Sequence, residues 1–178
     1  MVYILMVDGF EDIEALETLD IMRRAGISIK TVGVYGNKVT SSHNVTVETD
    51  ILIDDVKTED MEMLILPGGP GHTSLDASNK AHKLISYAYE NDIYIGAICA
   101  SPSIIGKLGY LDGKNYTCFP GFEKFCIGGV LSTDKAVLDG KIITAKGAGA
   151  AADFGFLMVD ILKGKEVSDK LKKEMQYI

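Results

Sequence analysis

Short apolar runs separated by helical patterns constrain this chain more than any other feature. VYILMV (residues 2–7), MEMLILP (61–67) and the run opened by Ile93, Tyr94 and Ile95 are each followed by a turn and then by a helical pattern. A run that is apolar throughout suits a strand buried on both faces. Strands of that kind alternating with helices give an α/β, doubly wound, mostly parallel sheet with helices on both faces. The first helix is predicted from the spacing of Ile13, Leu16, Leu19 and Met22, with Gly26 as its C′ residue. ISIKTVGV (27–34) reads as the second strand, residues 35–56 as a small β excursion, and Asn79 to Glu90 as a helix. AVLDGKIIT (136–144) reads as a hairpin with a type I′ turn at Asp139-Gly140, followed by an apolar helix from Ala151 to Leu162 and a charged last helix after Gly164.

At 178 residues and 47% hydrophobic content, the chain is expected to form one domain spanning 1–178. Its net charge of −7, with no dense Lys/Arg run, argues against nucleic acid or an anionic membrane as partner. No apolar run approaches the length of a membrane span, and no basic segment precedes the first strand, so neither an anchor nor an export signal is expected. The three cysteines (Cys99, Cys118, Cys126) form an odd set without CxxC spacing, which speaks against a disulfide framework or a zinc site. A reducing cytoplasm fits this usage.

The stretch from Ile93 to Gly109, IYIGAICASPSIIGKLG, places Cys99 between a buried strand and a helix. Ser101 reads as N-cap and Pro102 as the first helical residue. The sulfur then faces the first N–H groups of a helix, which predicts a lowered thiol pKa. Small residues two positions to either side, Ala97 and Ser101, fit a strained nucleophile elbow carrying sulfur in place of the usual serine oxygen. Cys118 and Cys126 show no neighbouring cation or helix start, so Cys99 is expected to be the thiol that oxidises first.

Ligands of doubly wound sheets bind at the carboxyl ends of the strands. Three loops should meet there: Asp8 to Glu14, Pro67 to Thr73 and Ala97 to Ser101. Of the acids in the first, Glu14 is the candidate to face the crevice. The second supplies backbone N–H groups at Gly68 and Gly69, which with that of Ala100 form a candidate oxyanion hole. No Gly-Lys-Ser/Thr follows the glycines, which excludes a P-loop. His72 lies in this loop and reads as an exposed loop histidine, and His82 as a helix residue.

DGFEDIEAL, LPGG, AICASP, TCFPGFE and GAGAAADF…LKGKEV, in that order along the whole chain, resemble the ThiJ/PfpI superfamily and most closely its DJ-one group. The resemblance implies a flavodoxin-like fold, a homodimer and a reactive elbow cysteine at Cys99, with Glu14 hydrogen-bonded to its sulfur. It implies oxyanion donors at Gly69 and Ala100, and it aligns Arg24, in MRRAG, with a residue that approaches the site from the other subunit. Several positions depart from the family pattern. Phe119-Pro120 stands where many relatives have His-Pro, and Ala100 where a proteolytic branch has histidine. Ser101 replaces a usual glycine, Gly147-Ala148-Gly149 replaces a GPG, and His43 lies near a position often held by arginine.

All three histidines precede Cys99, so the Cys…His…Glu order of glutamine amidotransferases is impossible, and amide hydrolysis has no assured base. A thiolate and a carboxyl can still act together on α-oxoaldehydes such as methylglyoxal. The resemblance implies this as cofactor-free and metal-free glyoxalase or deglycase activity on a small aldehyde or a glycated substrate. The alternative is a stress chaperone or redox sensor in which Cys99 is oxidised to sulfinate. Flavin binding rests on fold analogy alone.

Overall fold

A computed structural model describes residues 1–178. Its strands are β1 Val2–Met6, β2 Ile29–Gly33, β3 Lys38–Thr40, β4 Thr46–Glu48, β5 Ile51–Leu52, β6 Met63–Leu66, β7 Tyr94–Ile98, β8 Asn115–Tyr116, β9 Val130–Leu131, β10 Ala136–Asp139 and β11 Ile142–Ala145. The α-helices are α1 Asp12–Arg24, α2 His72–Asp76, α3 Asn79–Glu90, α4 Pro102–Lys107, α5 Ala151–Lys163 and α6 Lys165–Glu174. No helix is long and apolar enough to cross a membrane.

Seven strands form one sheet in the order β10-β11-β7-β6-β1-β2-β5. All its pairings are parallel except that of the terminal strand β10 with β11. The reason β1 is apolar throughout is visible in its two faces. Val2, Ile4 and Met6 join a core that includes Phe154 and Met158 of α5, whereas Tyr3, Leu5 and Val7 join Ile85 of α3 and Ile104 of α4 on the other side. Chain direction across the sheet reverses at β1, which pairs with β2 on one side and β6 on the other. This is a topological switch point, and the carboxyl ends of β1, β6 and β7 open beside it.

Gly26 ends α1 with φ +69°; its N–H bonds Arg23 and that of Ile27 bonds Met22, a Schellman arrangement. The buried face of α1 is rotated from the apolar stripe read in sequence. Glu14, Ala15, Thr18, Ile21 and Met22 point inward, while Ile13 is half exposed. Residues 35–56 divide between a β3–β4 hairpin and β5, which extends the main sheet. Three further details differ from expectation. Ser101 does not cap α4: its hydroxyl donates to the Pro67 carbonyl at 2.5 Å and joins two site loops instead. The hairpin turn is Gly140-Lys141, because Asp139 pairs with Ile142, and only Gly140 has positive φ. That is the type II′ pattern, with glycine at the first central position. The short elements α2 and β9 lack the length to register as periodic patterns.

Candidate active site

Cys99 follows the last residue of β7 and has φ +65°, a left-handed conformation uncommon for any side chain larger than glycine. Its N–H bonds Ala145 of β11, and its carbonyl accepts from Phe119 N–H at 2.8 Å. Both ends of the strained residue are therefore fixed, which lets the conformation persist.

The acids of the first loop separate into distinct tasks. The Glu11 carboxylate caps α1 by accepting the Glu14 N–H at 2.8 Å. Asp12 accepts from Ser41 and pairs with His43 at 2.8 Å. Glu14 alone turns into the sheet, 1% exposed, and hydrogen-bonds the Cys99 sulfur. Glu11, Asp12 and His43 bring ligand-type atoms within 4.8 Å of one another. The cap and the ion pair account for that cluster.

Glu14 Oε2 accepts the Gly68 N–H at 2.8 Å. The Ala148 N–H also bonds the carboxyl. Gly68 thus holds the acid, and the amides that face the sulfur are those of Gly69 and Ala100. This corrects the expectation that Gly68 faces the oxyanion. A Cβ at Gly68 would lie 2.6 Å from both Cys99 Cβ and Glu14 Oε2, so only glycine leaves room for the pair. A Cβ at Gly147 would meet Phe119 Cδ2 at 3.3 Å, Glu14 Oε1 at 3.7 Å and Cys99 Sγ at 3.8 Å. Gly147 and Ala148 therefore complete the wall, a contribution that sequence reasoning missed. Their only signal was the small-residue GAG before α5.

Electrostatics also differ from the prediction of a lowered thiol pKa. Burial, then repulsion from Glu14, pushes the Cys99 thiol up to about 12 against the pull of the Gly69 and Ala100 N–H groups. Burial likewise pushes the Glu14 carboxyl up from 4.5 to about 7. The enclosure accommodates one negative charge, so the two groups titrate as a pair. With the proton on Glu14, repulsion disappears and the sulfur faces two amide donors plus the carboxyl O–H. In that state the thiolate is stabilised, an arrangement suited to nucleophilic attack on a carbonyl.

Phe119 is half exposed at the mouth. The His72 ring packs edge-on against Phe122, 5.1 Å between centroids, and its Nδ1 lies 2.9 Å from the Gly69 carbonyl. His72 is thus the first residue of α2 and is partly buried, not a free loop side chain. His82 lies in α3 and meets Asp76. Arg24 is not brought to the site within one chain. It pairs with Asp20 at 2.6 Å, about 15 Å along α1 from Glu14.

The model of the DJ-1/PfpI family matches residues 1–161. The chain is 31% identical over 169 residues to protein DJ-1 homolog B of Arabidopsis thaliana, covering 93% of this chain but 39% of that longer protein. It is 29% identical to the glutathione-independent glyoxalase DJR-1.2 of Caenorhabditis elegans, covering 93% and 89% of the two chains. Among solved structures, a mutant of the DJ-1 superfamily protein STM1931 from Salmonella typhimurium superposes with a TM-score of 0.93 at 27% identity, over 99% of this chain and 98% of that one.

Proposed function

Because the chain belongs to the DJ-1/PfpI family, we propose that it is a cofactor-free, cysteine-dependent protein acting on α-oxoaldehydes or their adducts, like a glyoxalase or deglycase. The observation that carries this reading is a single buried carboxyl hydrogen-bonded to a strained elbow sulfur, with two amide donors beside it. With methylglyoxal, the Cys99 sulfur forms a C–S bond to the aldehyde carbon. The resulting oxygen lies against the Gly69 and Ala100 N–H groups. Glu14 gives its proton to that oxygen, and the carboxylate so formed removes the hydrogen from the carbon and returns a proton to the adjacent one. The aldehyde carbon is oxidised to a thioester as the ketone is reduced, so no external electron carrier takes part. Water then cleaves the thioester to lactate and regenerates the thiol. In an amine adduct the C–N bond breaks as the C–S bond forms at the same carbon, the amine leaves with a proton from Glu14, and the later steps are those of the aldehyde.

The Glu14 proton also favours a second reading, a redox sensor or chaperone, since it can donate to an oxygen of a Cys99 sulfinate. One assay separates the two. Lactate formed from methylglyoxal without added glutathione is measured for wild type, Cys99→Ser and Glu14→Gln. The catalytic reading expects turnover in wild type and loss of ~10²-fold or more in each folded variant. Equal lactate from wild type and Cys99→Ser would remove the catalytic reading.

A further inference from the structure

His72 follows a site loop, yet the chemistry above gives it no task. Gly68-Gly69-Pro70-Gly71 runs from β6 into α2, and Gly69 has φ +87°, a conformation that glycine adopts freely and leaves as freely unless it is held. Gly68 packs against the elbow, since a Cβ there would lie 2.6 Å from Cys99 Cβ. The next amide, that of Gly69, is the one that faces the sulfur.

Two peptide units flank Gly69, and its dihedral angles are fixed only when both are held. The first joins the Gly68 carbonyl to the Gly69 N–H, and that carbonyl accepts the Glu11 N–H at 3.1 Å. The second joins the Gly69 carbonyl to Pro70, which has no N–H, so only its oxygen can be tied. His72 ties it twice, through its backbone N–H at 3.0 Å and its ring Nδ1 at 2.9 Å. A carbonyl oxygen only accepts, so Nδ1 carries the hydrogen. The ring itself packs edge-on against Phe122, 5.1 Å between centroids. Phe122 N–H bonds the Phe119 carbonyl at 3.2 Å, and Phe119 N–H bonds the Cys99 carbonyl at 2.8 Å. The imidazole therefore links the glycine loop on one side of Cys99 to the turn that holds the elbow on the other.

We propose that His72 is a positioning residue: its Nδ1–H holds the Gly69–Pro70 peptide so that the Gly69 N–H stays aimed at the Cys99 sulfur and at the oxyanion formed there. The inference rests on the role given to Gly69 in the proposed function, and it assigns the imidazole no contact with substrate. Removing an oxyanion donor outright costs about 10²–10³-fold in kcat. Loss of the imidazole leaves the donor present but less well held, so the expected loss is smaller, roughly tenfold. It falls on kcat with KM little changed, because the donor acts on charge that develops after substrate is bound.

Two variants of the full chain separate the hydrogen bond from the packing. His72→Asn keeps an N–H donor at the place of Nδ1 and loses the ring, whereas His72→Phe keeps a ring and loses the donor. Lactate formation from methylglyoxal gives kcat and KM. Alkylation of Cys99 by iodoacetamide at one pH, located by peptide mass spectrometry, reports the sulfur with no substrate present. His72→Asn should stay near wild type in both, and His72→Phe should lose roughly tenfold in kcat and in alkylation rate. Wild-type rates in His72→Phe, or equal losses in the two variants, would overturn the proposal. A wild type that forms no lactate would remove the glyoxalase reading alone, and the alkylation rates would still decide on His72. Should His72→Phe not fold, His72→Ala replaces it, and the absence of the same gap to His72→Asn would be equally decisive against the proposal.

Discussion

The Glu14 carboxyl hydrogen-bonds the Cys99 sulfur inside an enclosure where burial leaves room for one negative charge. The functional state of the molecule is set by where the pair keeps its proton.

Stability should record that proton. Burial lifts the Glu14 carboxyl from 4.5 to about 7. Across that window the folded chain binds more protons than the unfolded one, so stability falls as pH rises through it and stays lower above it. The displacement corresponds to roughly 3 kcal/mol. Urea unfolding at about pH 5 and about pH 8 should show wild type losing stability relative to Glu14→Gln on that scale. A wild type and variant with the same pH dependence would mean the carboxyl ionises as freely as in water.

Gly68→Ala should damage both members of the pair together. The added methyl would stand 2.6 Å from Cys99 Cβ and from Glu14 Oε2. Overpacking of this kind costs about 1–3 kcal/mol. Thermal unfolding should fall accordingly, and Cys99 alkylation should lose its dependence on Glu14. A variant as stable as wild type would show that the loops yield easily.

Phe119 stands half exposed at the mouth of the site, at the position where the family resemblance implies histidine. A positioned proton-transfer group is worth ~10²–10⁴-fold. Lactate formation should therefore be weak in wild type and rise in Phe119→His. A lower or unchanged rate in the folded variant would show that an imidazole at this position reaches no reacting atom.

The half-exposed Ile13 on α1, beside partly buried Leu16 and Leu19, offers a surface for a second copy of the chain. A homodimer is expected by light scattering, and Ile13→Lys should shift the mass toward one chain. The same contact would be needed to bring Arg24 near another protomer's site. A single-chain mass for wild type at micromolar concentration would count against both.

The sequence by itself determined the architecture, because its signals are local. Unbroken apolar runs could only be strands covered on both faces, and the elbow at Cys99 follows from a strand running into Ser101 and Pro102. The approach of Glu14 to Cys99 was legible through the order of loops at the strand ends. Only the tertiary structure decided the chemistry of those groups. Glu14 and Gly68 are 54 positions apart, yet their hydrogen bond takes the Gly68 amide away from the oxyanion. Ser101 likewise gives its hydroxyl to Pro67 in preference to its own helix. The helix start beside Cys99 predicted a lowered thiol pKa, but burial and a neighbouring carboxyl outweigh a helix of six residues. Periodicity reports which side of an element meets the core. The protonation of a group depends on every charge and dipole that folding brings within a few ångströms of it.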